Sequence, residues 1–242
     1  MKLLVLDSSG LVASVALIED DRLIAEYTTG NKLTHSQTLL PMLDEVIKRT
    51  SFEMEDIDAI AVAKGPGSFT GLRIGSATVK GLGLALDKPL IEIPTVDALA
   101  YNLVGCRDLV CPLMDARRNQ TYTGLYAFEG EHMQVQKEQC AVDIGTIVAE
   151  INHTGRSVVF LGDGVPVFRE YIREHVQVPF WFAPPHLNKQ RAGAVGALAV
   201  QYYKEGHTVT AEEHRPEYLR MSQAERERME KEQAEASHAA AD

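Results

Sequence analysis

The sequence predicts an α/β fold of two related lobes, each a mixed sheet flanked by helices, with the second lobe a degenerate copy of the first. Three observations carry this: three short apolar runs in succession at the N-terminus, an order of β-β-β-α-β-α-β-α over the first hundred residues, and a restart of strand character after Gly105. That order is neither the βαβ opening of a dinucleotide-binding fold nor a barrel repeat. The chain has 242 residues, 45 % of them hydrophobic, enough for one large domain or two modest ones with real cores.

Leu3 to Leu6 is apolar without a break, Asp7-Ser8-Ser9-Gly10 turns the chain, and Val12 to Ile18 makes a second strand. Glu19-Asp20-Asp21 is a hairpin connection to a third strand, Leu23 to Thr28. Ser36 can cap a helix whose apolar positions Leu39, Leu40, Leu43, Val46 and Ile47 recur at helical spacing. A start near Thr38 places Pro41 early enough for its missing donor to be tolerated. Ile57 to Ala63 returns to strand, Leu72 to Leu86 is a second helix, Leu90 to Ile93 a short strand, and Thr95 or Asp97 starts a third helix ending near Val104.

The second half reads as strands at Leu109 to Met114, Thr121 to Phe128 and Met133 to Gln136. A helix around Ile144 to Ile151, a strand at Val158 to Leu161 and a short helix at Val165 to His175 follow, an incomplete echo of the first half. Prolines at 179, 184 and 185 interrupt regular structure, so Phe180, Trp181 and Phe182 are expected to pack as an extended cover. Ala192 to Tyr203 is small-residue-rich and reads as a helix crossing between the halves. The expected organisation is a lobe over 1–105, a lobe over 106–221 that includes this helix, and a charged, solvated tail over 222–242.

A formal charge of -10 argues against a broad nucleic-acid or anionic-membrane footprint, but leaves room for a small local basic site or a partner that carries the basic surface. Met1 to Asp7 reads as a first strand rather than a signal peptide or membrane span, which places the protein in the cytoplasm and makes the Asn119 and Asn152 sequons incidental. Cys106, Cys111 and Cys140 lack metal or redox spacing. The eight histidines form no i,i+4 pair or mixed ligand cluster, so no metal site is expected.

The run Lys64-Gly65-Pro66-Gly67-Ser68-Phe69-Thr70-Gly71-Leu72-Arg73-Ile74-Gly75 follows a strand and opens a helix. Such a turn can hold an anion, admit another backbone or simply end a strand. No Gly-Lys-Ser/Thr stands at the offset a P-loop requires. Ser68 lacks the frame of a nucleophile elbow, and His35 before the first helix has no evident partner for base chemistry. The helix behind the turn carries Gly71, Gly75, Gly81, Gly83, Ser76, Ala77 and Ala85. Each interior glycine costs the helix roughly 0.5–1 kcal/mol, so a close approach is indicated, either by this chain's own sheet and third helix or by a helix of a second chain. Asp7 and Asp115 occupy matching positions after the first strand of each half. They either cap turns or form the acidic pair of a free-standing, sugar-kinase-like ATP-dependent enzyme. Gly162-Asp163-Gly164 could face a cleft or only reverse the chain.

These residues resemble the bacterial TsaB (YeaZ) family of the tRNA threonylcarbamoyladenosine machinery. The likeness lies in the opening strand with Asp7, Thr34-His35-Ser36, the Gly65 to Gly75 run, Pro94-Thr95, Asp115-Ala116-Arg117 and the closing Pro216-Glu217-Tyr218-Leu219-Arg220, and spans roughly Met1 to Arg220. The resemblance implies an actin/Hsp70-like (ASKHA) ATPase fold and a non-catalytic role without cofactor. The implied partner is the TsaD transferase, which with metal of its own modifies N6 of adenosine 37 in ANN-decoding tRNAs. It also implies a TsaE-type ATPase as third subunit, a homodimer when the chain is alone, and tRNA contact mainly through the complex. The interface it implies uses the first two helices, with His35, Leu39, Leu43, Phe69, Leu72, Gly75, Ser76, Val79, Leu82 and Gly83.

Overall fold

A computed structural model describes residues 1–30 and 34–220; the charged tail of the sequence reading lies outside the described residues. The chain opens with β1 (Lys2–Asp7), β2 (Ala13–Glu19), β3 (Arg22–Thr29), α1 (His35–Lys48), β4 (Ala59–Gly65), α2 (Phe69–Leu86), β5 (Leu90–Pro94) and α3 (Thr95–Tyr101). It continues with β6 (Leu109–Asp115), β7 (Gln120–Glu129), β8 (His132–Asp143), α4 (Ile144–Thr154), β9 (Val158–Leu161), α5 (Val165–His175), β10 (Phe180–Phe182) and α6 (Ala192–Lys204).

The first sheet has the order β3-β2-β1-β4-β5 and the second β8-β7-β6-β9-β10. In both, the first strand is central, pairs antiparallel with the second and parallel with the fourth. The second half is thus a full topological copy rather than a degenerate one. The correction comes from the Phe180-Trp181-Phe182 segment, which pairs parallel with β9 instead of lying as a cover. A three-residue strand between prolines shows no period to read; the open edge of β9 makes it a strand.

Alternation along the central strands explains how each sheet is buried on both faces. Leu3 and Val5 face one core with Ala192, Val195, Leu198 and Ala199 of α6, while Leu4 and Leu6 face another under α1 and α2. In the second sheet Leu109, Cys111 and Leu113 meet α4 and α5, and Val110 and Met114 meet Val96, Leu99 and Ala100 of α3. Each half therefore sends its last helix onto the other half's sheet. Gly196 shows why α6 is rich in small residues: a Cβ there would collide with Ile18 of β2.

The first helix begins earlier than its sequence suggests. Thr34 is its N-cap, without a side-chain cap bond, and Pro41 lies inside the helix on its exposed side. Ser68 does cap α2, its hydroxyl accepting the Gly71 amide. Among the described residues no helix is long and apolar enough to cross a membrane.

Candidate functional site

The glycine-rich turn packs against this chain's own backbone. A Cβ on Gly67 would strike the carbonyl oxygen of Ser9, one on Gly71 that of Ser8, and one on Gly65, at φ 123°, that of Glu217. The Ser68 amide donates to Ser9 O at 2.7 Å, and Ser8 Oγ donates to Gly71 O at 2.9 Å. The Ser68 amide, which an anion would need, is thus engaged by the β1–β2 turn. Further along α2, Gly75 abuts Ser8 Oγ and Gly83 abuts Leu90 and Ala211, whereas nothing lies within 4 Å of a Cβ on Gly81.

The residues expected at a partner interface lie mostly on the inner side of the two helices. Leu39, Leu43 and Val79 are buried in the core under α1 and α2, Leu72 is buried beside Gly65, and Gly75, Ser76 and Gly83 are buried against their own chain. His35, Phe69 and Leu82 are half-buried. The surface of α2 carries Thr70, Arg73, Ala77, Gly81, Leu84 and Ala85, with Leu40 exposed on neighbouring α1. Glycine content alone does not say which side of a helix is thin.

Between the lobes lies a cleft of about 390 Å³. The ends of β1, β4, β6 and β9 and the turns after them bring Ser9, Gly10, Gly67, Ser68, Asp115, Arg117 and Asp163 to it, His35 comes from the start of α1, and Tyr218, Leu219 and Arg220 complete its wall. The Gly162-Asp163-Gly164 turn does face a cleft. Its glycines allow the chain to cross the Leu113 carbonyl, and Gly162 sits at φ 111°. Asp163 Oδ1 is buried with no hydrogen-bond partner, and burial, aided by the nearby Asp115, pushes its carboxyl up to about 6.

The candidate catalytic groups are committed elsewhere. Asp7 is 1 % exposed, and its Oδ1 accepts from the Ser9 amide at 2.9 Å and the Ser9 hydroxyl at 2.6 Å. Burial raises its pKa against those two bonds. Asp115 accepts from the Arg117 amide at 2.8 Å and pairs with its guanidinium at 3.2 Å. His35 Nε2 donates to Gly10 O at 2.9 Å, and among the described residues it is not bonded to Ser68. Among the described residues no three His, Cys, Asp or Glu side chains converge as metal ligands would. The cysteines are free thiols, with Cys111 fully buried and pushed up to about 12 by that burial.

The closing segment straps the halves together. The Glu217 amide donates to Lys64 O at 2.7 Å, and Gln139 of β8 donates to Glu217 Oε2 at 3.0 Å. The Tyr218 ring lies tilted against Phe69 with centroids 4.7 Å apart, Arg73 lies 4.0 Å over the Phe69 ring, and Arg220 donates to the carbonyls of Ala116 and Arg117.

The chain matches, over residues 23–228, the sequence profile of the family described as "TsaD: tRNA N6-adenosine threonylcarbamoyltransferase". It is 31 % identical to the "tRNA threonylcarbamoyladenosine biosynthesis protein TsaB" of Bacillus subtilis (strain 168), covering 93 % of this chain and 96 % of that one. The protein of the same name in Escherichia coli (strain K12) is 29 % identical over 91 % of this chain and 95 % of its own. The solved structure "YeaZ from Pseudomonas aeruginosa" superposes with a TM-score of 0.76 at 27 % identity, covering 90 % of this chain and 99 % of that one.

Proposed function

Because the chain belongs to the TsaB (YeaZ) family of tRNA threonylcarbamoyladenosine biosynthesis proteins, we propose that it is the non-catalytic subunit that pairs with a TsaD-type transferase in modifying adenosine 37 of ANN-decoding tRNAs. The matching profile bears the transferase's name while the full-length relatives bear that of TsaB. We follow the relatives, because they align over nearly the whole of both chains. ATP and divalent metal belong, in this reading, to the partner subunits. The doubled sheet order supports reading the fold as actin/Hsp70-like, with lobes over 1–105 and 106–221. A TsaE-type ATPase as third subunit, a homodimer in isolation and a cytoplasmic location complete the proposal.

The observation that carries the pairing is the outward face of α2. Ala77 and Gly81 leave it thin, with Leu84 62 % exposed beside them and Leu40 on α1 52 % exposed. A partner helix can lie close against such a strip and bury both leucines. Size-exclusion chromatography with light scattering, on the chain alone and mixed with its transferase, tests this. Gly81→Leu should abolish the mixed dimer and leave the fold intact, since the position opens on free space. Unchanged pairing would remove α2 from the interface. Gly75→Leu is unsuitable, because it would collide with Ser8 inside the chain.

A further inference from the structure

We infer that the mouth of the interlobe cleft is a track for the phosphate backbone of an RNA, carried by Arg117 and Arg118 and flanked by Arg73 and the ring of Tyr218. The inference deepens the proposed function and rests on it.

The turn between β6 and β7 holds three consecutive residues in the left-handed region, Arg117 at φ 65°, Arg118 at 53° and Asn119 at 63°. Glycine or asparagine would reverse the chain there without strain, and asparagine stands only at the third place. Two arginines in such a conformation point to a use for their side chains. Both lie at the surface, the Arg117 side chain 81 % exposed. The turn is braced from beneath, since Gln120 N donates to Arg117 O at 3.1 Å and Arg220 donates to the carbonyls of Ala116 and Arg117.

Two further guanidinium groups, Arg220 and Arg73, lie beyond this turn with aromatic rings between them. Arg220 leads along the chain to Tyr218, 40 % exposed; Tyr218 packs tilted against Phe69, and Arg73 covers the Phe69 ring. Guanidinium groups interleaved with aromatic rings match phosphates and bases better than they match carboxylates alone. The carboxylates near the mouth decide how a polyanion would lie. Asp115 pairs with Arg117, Asp163 faces the cleft, and Glu217 sits beside Lys64 and Gln139. Of the two carboxylates that line the cleft, Asp115 pairs with Arg117, so a polyanion is placed at the exposed arginines of the rim and away from Asp163. This gives a chain of net charge -10 one local site for RNA.

The test uses fluorescence anisotropy of a labelled unmodified tRNA, from about 50 to 300 mM KCl, with the transferase complex and with the chain alone at low salt. The variant is Arg117→Gly with Arg118→Gly, because glycine accepts the left-handed turn and should leave the melting temperature equal or higher. Affinity should fall at least about tenfold at 100 mM salt, and the slope of log K against log salt should flatten by about 1–2. Equal affinity and equal slope in a folded variant would overturn the inference. So would loss of pairing with the transferase while tRNA affinity is retained, which would assign the rim to a protein contact. If the wild-type chain fails to pair with any transferase, the proposed function fails, and the arginine dependence measured on the chain alone still decides this inference.

Discussion

At the scale of single residues, Asp97 and Asp163 keep their protons well above the ordinary carboxylate range, both pushed by burial from 3.8 to about 6. Asp97 accepts the Tyr126 hydroxyl at 2.6 Å, a bond that opposes the shift without cancelling it. A folded pKa above the unfolded one means that the folded state holds the proton longer. The stability this supplies is full below pH 3.8 and is lost as the pH rises through about 6. Asp97→Asn should therefore stabilise the protein at pH 7 by about 1–3 kcal/mol, keep an acceptor for Tyr126, and flatten stability between pH 4 and 6. Urea midpoints at pH 4, 5, 6 and 7 check this; an unchanged profile would mean that Asp97 is solvated. None of this was legible in the sequence, where Asp97 reads only as a possible start of the third helix, because its burial is made by β7 and β8 of the other half.

At the scale of elements, α2 has two faces that tolerate opposite changes. A methyl at Gly71 must displace the backbone of Ser8, and should cost about 1–3 kcal/mol. A methyl at Gly81 meets nothing within 4 Å and should gain about 0.5–1 kcal/mol by relieving a helix-interior glycine. Chemical denaturation of Gly71→Ala and Gly81→Ala compares them; similar midpoints would contradict this division of the helix. The helix itself and its glycine content could be read from the chain, while its start at Phe69 under a Ser68 cap came with the structure. Which glycines are internal could not, because Ser8 is sixty residues away and reaches α2 only through the pairing of β1 with β4. Helix α1 shows the same limit. Ser36 reads as the cap, whereas the helix starts at His35 under Thr34, and the bond from His35 to Gly10 lies outside local propensity.

At the scale of the molecule, the exchange of α3 and α6 ties the two sheets into one folding unit, and the closing strap adds a second tie. Unfolding should be a single transition. The sole tryptophan, Trp181, sits on the edge strand β10 of the second sheet and reports on that lobe, while far-ultraviolet circular dichroism reports on both. The two signals should move together with urea, and a dichroism transition that separates from the tryptophan one would mean that the lobes unfold independently. By itself the sequence determined the number and kind of most elements, the doubled plan and the family likeness, because apolar periodicity, turn residues and fixed motifs act over short stretches of chain. Only the tertiary structure decided that the glycine-rich turn receives this chain's own backbone, that the thin side of α2 is centred on Ala77 and Gly81, and that arginines from two distant segments meet at the cleft mouth. Those outcomes depend on which surfaces the two sheets press together, a long-range choice that no local pattern carries.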